Sequence, residues 1–269
     1  MNIIDMKVSE IKTYVSNLLN NYDNNTDYRS IIKLLQNDNR VSVKKISATI
    51  EKFLQNRENE IKRVKTMYQF DSQYISTNGY LAGCDEVGRG PLAGPIVAAA
   101  VILDLEFANN DKLILKINDS KKIKPELREE LAEIIKEKAI SYCIAEIDNL
   151  EIDNKGIAWC NNEVLQRSVN GLRVKPNLAL SDGYKIKNCS IDNKFVVKGD
   201  AKSASIACAS IIAKVHRDKL MQKYSEIYKE YAFDKNMGYG TKEHIDSIKK
   251  YGYTPIHRKS FLTNILNTF

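Results

Sequence analysis

Cys84-Asp85-Glu86-Val87-Gly88-Arg89-Gly90-Pro91-Leu92-Ala93-Gly94-Pro95, followed at once by Ile96-Val97-Ala98-Ala99-Ala100, is the stretch on which the fold turns. Ahead of it Tyr80-Leu81-Ala82-Gly83 is apolar, and behind it the apolar run continues to Leu103. Two such runs, each short and joined by a Gly- and Pro-rich turn, read as adjoining strands of a sheet covered on both faces. The first run ends in two carboxylates. Successive side chains of a strand point to opposite faces, so Asp85 and Glu86 cannot point the same way along a regular strand. Glu86 is therefore expected where the strand breaks, close to Gly88.

Outward from this pair the pattern alternates. Pro125 opens a helix to about Lys138, as proline suits a first helical turn. A strand follows near Ser141–Ile147, then a helix across Ile157–Val169 and a strand Leu178–Asp182 that again ends in an acid and a glycine. Val196-Val197 adds a short strand before Gly199-Asp200. The stretch from Ser203 to Tyr224 reads as a strong helix, and another starts near Thr241. Adjacent strands followed by strands alternating with helices predict an α/β fold, a mixed sheet flanked by helices. Upstream, from Ile4 to about Phe70, Gly and Pro are almost absent and apolar residues recur at helical spacing in three pieces separated by asparagine-rich punctuation. The expected division is a helical N-terminal extension over 1–75 and an α/β domain over 76–269, the character changing at Thr77-Asn78-Gly79.

Composition narrows the class. Of 269 residues, 43% are hydrophobic and 28% charged, enough for a real core, and 41 basic against 34 acidic side chains leave a net charge of +7. That excess permits a nucleic-acid partner without demanding one. No apolar run approaches the ~18 residues of a membrane span, and the first ten residues mix Asp5, Lys7 and Glu10 where a signal peptide would be apolar. A cytoplasmic protein is the expectation. The five cysteines are scattered and never form C-x-x-C, so neither a disulfide framework nor a zinc site is indicated, and His216, His244 and His257 lack metal-ligand spacing.

Acids at the ends of apolar strands carry the chemistry. Asp85, Glu86, Asp182 and Asp200 all follow hydrophobic sequence, and burying a carboxylate is costly unless something pairs with it. One such acid reads as a turn or helix-cap residue; four in the same pattern admit a different reading. If their strands are neighbours, the acids converge on one sheet edge, where repulsion is relieved by protonation or by cations, and hard oxygen ligands select Mg²⁺ or Mn²⁺. Such a cluster suits two ions acting on a phosphodiester. A nucleotide-binding loop is excluded, because the third glycine of G-x-G-x-x-G falls on Ala93 and no Walker sequence occurs. Arg89 between two glycines still offers a cation beside exposed backbone amides.

The segment from Cys84 to Ala100 resembles the signature of bacterial ribonuclease HII, the type 2 ribonuclease H. The likeness continues through Asp119-Ser120-Lys121-Lys122-Ile123, Ser181-Asp182-Gly183, Lys198-Gly199-Asp200, the run Ala207-Cys208-Ala209-Ser210-Ile211-Ile212-Ala213-Lys214-Val215-His216-Arg217-Asp218, and Gly238-Tyr239-Gly240-Thr241-Lys242-Glu243-His244. It spans about Tyr80 to the C-terminus, in order, with Cys208 standing where the family usually has alanine. The resemblance implies a ribonuclease H-like fold and metal-dependent endonucleolytic cleavage of RNA in RNA–DNA hybrids and at single ribonucleotides in duplex DNA, leaving 5′-phosphate and 3′-hydroxyl ends. It implies that Asp85, Glu86, Asp182 and Asp200 are the catalytic acids and bind Mn²⁺ or Mg²⁺, two ions during catalysis. Gly88, Arg89 and Gly90 match the turn that reads the ribose 2′-hydroxyl, the group that distinguishes RNA from DNA. Tyr239 matches the aromatic beside the adjoining sugar.

Other residues of these motifs have plainer readings. The small residues of the Ser203–Ala213 stretch let a helix pack closely on the sheet. Lys214, Arg217 and Lys219 read either as solvated helix residues or, for one of them, as a phosphate contact, and Lys121 and Lys122 as loop cations placed for phosphate contact. Asp218 reads as an ion-pair residue, His216 and His244 as structural, and Trp159 and the tyrosines other than Tyr239 as core or rim. The N-terminal extension is expected to be accessory, and the chain a monomer. A non-catalytic nucleic-acid-binding module and a recombination nuclease of the same fold class are the competing readings.

Overall fold

Residues 5–75 and 79–266 are described by the computed structural model. The boundary expected at residue 76 lies outside the described residues. Packing divides the chain into two units, Met1–Arg63 and Val64–Phe269.

In the first unit the three expected helices form: α1 (Val8–Asn20), α2 (Tyr28–Gln36) and the opening part of α3 (Val41–Ser72). Asp27 starts α2 by accepting the Ser30 N–H, which satisfies one of the donors a helix start leaves free. Ile11, Val15, Tyr28, Leu35, Val43, Ile46 and Ile50 make a core of their own.

The second unit is built on five strands, β1 (Leu81–Val87), β2 (Ile96–Ile102), β3 (Ser141–Ile147), β4 (Leu178–Asp182) and β5 (Asn193–Val196), in the spatial order β3-β2-β1-β4-β5. β1 to β3 form an antiparallel meander, whereas β4 runs parallel to β1 and β5 parallel to β4. The sheet is thus mixed, as expected. Among the described residues, seven helices follow in sequence among and after the strands: α4 (Pro125–Lys138), α5 (Asn149–Lys155), α6 (Ile157–Asn170), α7 (Ala204–Ile227), α8 (Phe233–Asn236), α9 (Lys242–Tyr251) and α10 (Lys259–Leu266).

Strand alternation decides what each face meets. On one face Ala82 and Cys84 of β1 and Ala98, Ala100 and Ile102 of β2 join Cys160, Val164, Leu165 and Val169 of α6 in the main core. On the other, Leu81 packs with Ile206 of α7, and Gly83 lies so close beneath α7 that a Cβ there would stand 2.2 Å from backbone atoms of Ser205 and Ile206. The small residues of α7 are buried along this contact, as the sequence reading anticipated. β2 is buried from end to end, and each large aliphatic side chain so removed from water stabilises by about 1.5–3 kcal/mol.

One expectation is corrected. β1 does not break at Glu86; its pairing with β2 continues through Glu86↔Ala98 and Val87↔Val97. The alternation that keeps two neighbouring acids from pointing the same way places them on opposite faces of the same strand end.

Candidate active site

The carboxyl ends of parallel strands are where open α/β sheets bind ligands, and three parallel strand ends lie side by side here. Cys84 of β1 is in register with Ser181 of β4, and Asp182 with Val196 of β5. The residues that follow, Asp85 and Glu86, Asp182, and Asp200 just past β5 in a short 3-10 turn, therefore emerge along one edge.

Each acid is set by its own element. Asp85, on the α7 face, accepts the Glu86 N–H at 2.8 Å through Oδ1 and has Ser210 of α7 beside it, and Ser210 Oγ is 2.9 Å from Ser120 Oγ, which ties the Asp119–Lys122 loop to α7. Burial first, and the nearby Glu86 and Asp182 charges after it, push the Asp85 carboxyl well above the usual carboxylate range. Glu86, on the α6 face, has one oxygen, Oε1, bound by the Tyr184 hydroxyl, with Arg89 3.8 Å away. Its other oxygen, Oε2, is buried without a hydrogen-bond partner, and burial raises its pKa. Asp182 Oδ1 accepts the Gly199 N–H at 2.7 Å. Asp200 is half-buried, its pKa raised by burial and by the charges of Asp182 and Asp119.

Among the described residues, no three Asp, Glu, His or Cys side chains already form a cage around one point. Glu86 is drawn to Tyr184 and Asp182 to the Gly199 amide. The donor set nevertheless suits a hard divalent cation. It offers oxygen only, its members repel one another in a half-buried setting, and Glu86 Oε2 lacks the partner that a buried carboxylate oxygen requires.

The glycine turn stands beside these acids. Gly88 has φ +95°, and a Cβ there would lie 2.4 Å from Arg217 Nε and 2.8 Å from the Pro95 carbonyl, so only glycine fits. At Gly90 a Cβ would meet Tyr239 Cε1 at 3.9 Å, which places the turn against Tyr239, an aromatic ring 40% exposed. The structure thus brings together Gly88, Arg89, Gly90 and Tyr239. Lys121 and Lys122 are exposed on the adjoining loop; Lys121 lies within electrostatic reach of Asp200, and Lys122 Nζ is 3.6 Å from Asp119.

Several supporting residues escaped the sequence reading. Arg217, read there as a solvated helix cation, is fully buried and donates to the carbonyls of Ala93, Pro95 and Met237. Arg258, for which no role was expected, is equally buried and donates to Gly88, Arg89 and Gly94 carbonyls. Burial, together with the neighbouring Arg217, pulls its pKa down. Two guanidiniums thus hold the underside of the turn through five of its backbone oxygens, with that of Met237 as a sixth acceptor, a fixed fork that lysine cannot imitate. Helical spacing carried a signal for Arg217, since Ala209, Ala213, Arg217 and Met221 form one i, i+4 stripe that is buried throughout. Nothing in the sequence marked Arg258 or Tyr184.

The remaining motif residues fall into structural roles. Asp218 pairs with Arg128 at 3.2 Å and with Lys214 at 2.7 Å, and His216 lies 3.6 Å from Glu146. His244 Nδ1 is 2.9 Å from the Tyr239 carbonyl, and its Nε2 is 3.0 Å from Nε2 of His257. The Thr254 backbone N–H donates to His257 Nδ1, so His257 carries its proton on Nε2 and gives it to His244, which in turn donates to Tyr239 O. The pair is a neutral brace for the Tyr239 segment. All five cysteines are free, and no helix among the described residues is long and apolar enough to cross a membrane.

Comparison with known proteins accounts for both units. A family described as Ribonuclease HII matches residues 82–264, and one described as Ribonuclease HII N-terminal domain matches residues 7–75. The ribonuclease HII of Clostridium novyi (strain NT) is 66% identical over 269 residues, covering 100% of both chains. The ribonuclease H2 of Pyrococcus horikoshii OT3 superposes with a TM-score of 0.60 at 28% identity, over 70% of this chain and 98% of that one. Bst-RNase HIII, solved in complex with Mn²⁺, shares the fold at TM-score 0.52 and 19% identity, over 70% of each chain. Strand-end acids beside a buttressed glycine turn, on a chain alike from end to end to a curated relative, identify a member of the ribonuclease HII family, an endoribonuclease with the ribonuclease H-like fold and a helical N-terminal domain.

Proposed function

We propose that this endoribonuclease cleaves the RNA strand of RNA–DNA hybrids and isolated ribonucleotides within duplex DNA, leaving 5′-phosphate and 3′-hydroxyl ends. The observation that carries the reading is the meeting, at one sheet edge, of four strand-end acids with a glycine turn and an exposed tyrosine. In this reading Asp85, Glu86, Asp182 and Asp200 hold Mn²⁺ or Mg²⁺, two ions during turnover. When bound, such ions activate water and stabilise the leaving oxygen of an in-line displacement. The chain's own residues do the rest. Asp85, beside Ser210, and Glu86, fastened to Tyr184, present carboxylates from opposite faces of β1. Gly88, Arg89 and Gly90 offer backbone amides and a guanidinium to the ribose 2′-hydroxyl, Tyr239 lies against the neighbouring sugar, and Lys121 and Lys122 meet phosphates. Discrimination then follows from polar groups that a deoxyribose leaves unpaired.

The protein is proposed to act as a cytoplasmic monomer, which suits five free thiols, and its N-terminal extension, residues 1–75, to be accessory to chemistry. Because Val64, Met67, Tyr68 and Asp71 of α3 are buried within the catalytic unit, the deletion that respects packing ends at Arg63. Removing residues 1–63 leaves turnover measurable with weakened substrate affinity; complete loss in a folded product contradicts the accessory role. The decisive assay compares a duplex bearing one ribonucleotide with its all-DNA counterpart in Mn²⁺ and in Mg²⁺. Cleavage confined to the ribonucleotide is expected. Equal cleavage of both would point to a recombination-type nuclease, and an Asp85→Asn variant indistinguishable from wild type would point to a binding module.

A further inference from the structure

Tyr184 directly follows Asp182-Gly183 and stands at the centre of a three-way contact. Its hydroxyl meets Glu86 Oε1, Arg89 Nη1 at 2.9 Å and Asn161 Nδ2 at 2.8 Å. Its ring also lies 5.2 Å from the Arg89 guanidinium carbon. The proton inventory fixes the directions. A guanidinium N–H and an amide NH₂ only donate, so both lone pairs of the Tyr184 oxygen accept, and its single proton is left for the Glu86 carboxylate. The reverse orientation of Asn161 would set two acceptors, its own Oδ1 and Glu86, in competition for that proton. One residue thereby joins a strand-end acid, the cation of the glycine turn and the helix α6.

Two features separate this hub from ordinary packing. The Tyr184 ring is 37% exposed, so the core does not depend on it. Its bond to Glu86 also occupies Oε1 alone and leaves Oε2, buried and without a partner, as the oxygen free to meet a cation. A hydrogen bond to one oxygen of a ligating carboxylate orients the other, and loss of such support commonly lowers metal affinity by about 10–100-fold.

We propose that Tyr184 is a positioning residue that couples the metal-binding acids to the ribose-reading turn, holding Glu86 as a one-oxygen ligand through its proton and Arg89 through its lone pairs. This rests on the functional reading of the acids and the turn given above. Tyr184→Phe removes the hydroxyl and nothing else. Binding of Mn²⁺ to the full-length protein without substrate, measured by titration calorimetry, is expected to weaken about tenfold. The melting temperature should fall by no more than ~10 °C, the shift of about three lost hydrogen bonds in a domain of this size, so the variant stays folded at the temperature of the titration. In turnover the Mn²⁺ concentration for half-maximal rate rises in parallel. At saturating Mn²⁺ the KM for the single-ribonucleotide duplex remains raised several-fold, because Arg89 has lost its hydroxyl acceptor.

An unchanged Mn²⁺ affinity with an unchanged metal dependence of the rate overturns the proposal, as does a loss of affinity explained by unfolding in the same melting experiment. Asp85→Asn, measured beside it, separates the two levels of inference. If that variant loses Mn²⁺ binding while Tyr184→Phe does not, the hub fails and the site stands. If neither variant loses it, the site reading itself fails.

Discussion

Asp71, near the end of α3, is fully buried against the start of α7, where its Oδ2 accepts the Ser205 N–H at 2.8 Å and its Oδ1 has no partner. A carboxylate at a helix N-terminus gains roughly 0.3–1 kcal/mol from the helix dipole. Full desolvation works the other way and is larger, and the Asp71 carboxyl is raised from 3.8 to about 6, burial outweighing the hydrogen bonds that Ser203 and Ser205 supply. Because the folded state holds its proton more tightly than the unfolded chain, the stabilising contribution is complete below 3.8, declines between 3.8 and about 6, and stays lost above that. A shift of about two units corresponds to roughly 3 kcal/mol, of which roughly 2 kcal/mol falls between pH 4.5 and 7.5. Asp71→Asn keeps an acceptor for Ser205 and abolishes the titration. Urea denaturation of both proteins across that pH range should show the variant gaining about 2 kcal/mol relative to wild type as pH rises, while other acids common to both cancel in the difference. A difference that stays flat would mean that the fold does not shift the carboxyl, and one in which wild type gains with rising pH that the fold favours the carboxylate; either would refute the reasoning.

The other expectations are brief. Gly83→Ala sets a Cβ 2.2 Å from the α7 backbone, where no flexible side chain can yield; a loss of at least ~3 kcal/mol is expected from overpacking, and a change under about 0.5 kcal/mol in urea denaturation would contradict the strand–helix contact. Arg258→Lys keeps the charge but loses the fork that holds Gly88, Arg89 and Gly94, costing on the order of 3 kcal/mol and raising the KM for ribonucleotide substrate; an unaltered KM would detach the buttress from recognition. His257 is held down to about 4 by burial and by His244, so its contribution is present above 6.5 and is lost as pH falls towards 4, by roughly 3 kcal/mol. A His257 imidazole resonance titrating near 6.5 in the native protein would exclude this.

What could be read from the chain and what could not differ by the range of the physics involved. The four acids and the glycines were legible because their signals are local: an apolar run that stops at a carboxylate, and a turn whose backbone only glycine adopts, as Gly88 does at φ +95°. The mixed sheet was legible for the same reason. Arg217, Arg258 and Tyr184 act through contacts with residues distant in sequence, 122 to 124 positions for Arg217 with the turn and 164 to 170 for Arg258. A buried guanidinium without a carboxylate looks like an error from sequence alone, and becomes sensible only once five carbonyls of a tight turn need donors.

The misreading at Glu86 is the most instructive, because the premise was right and its consequence reversed. Alternation does send Asp85 and Glu86 to opposite faces, and the sequence reading took a broken strand to be the remedy. The unbroken strand is what the site uses. With β1 regular through Val87, Asp85 is delivered to Ser210 on the α7 side and Glu86 to Tyr184 on the α6 side. Each acid is thus braced by a different layer of the fold. A bulge at Glu86 would turn both carboxylates to one face, remove one brace and place two negative charges side by side in a buried setting, where an effective dielectric far below that of water makes repulsion costly. The regular ladder is therefore a condition for the acid pair, and the depth at which Gly83 lets α7 settle on β1 sets how closely Asp85 meets Ser210.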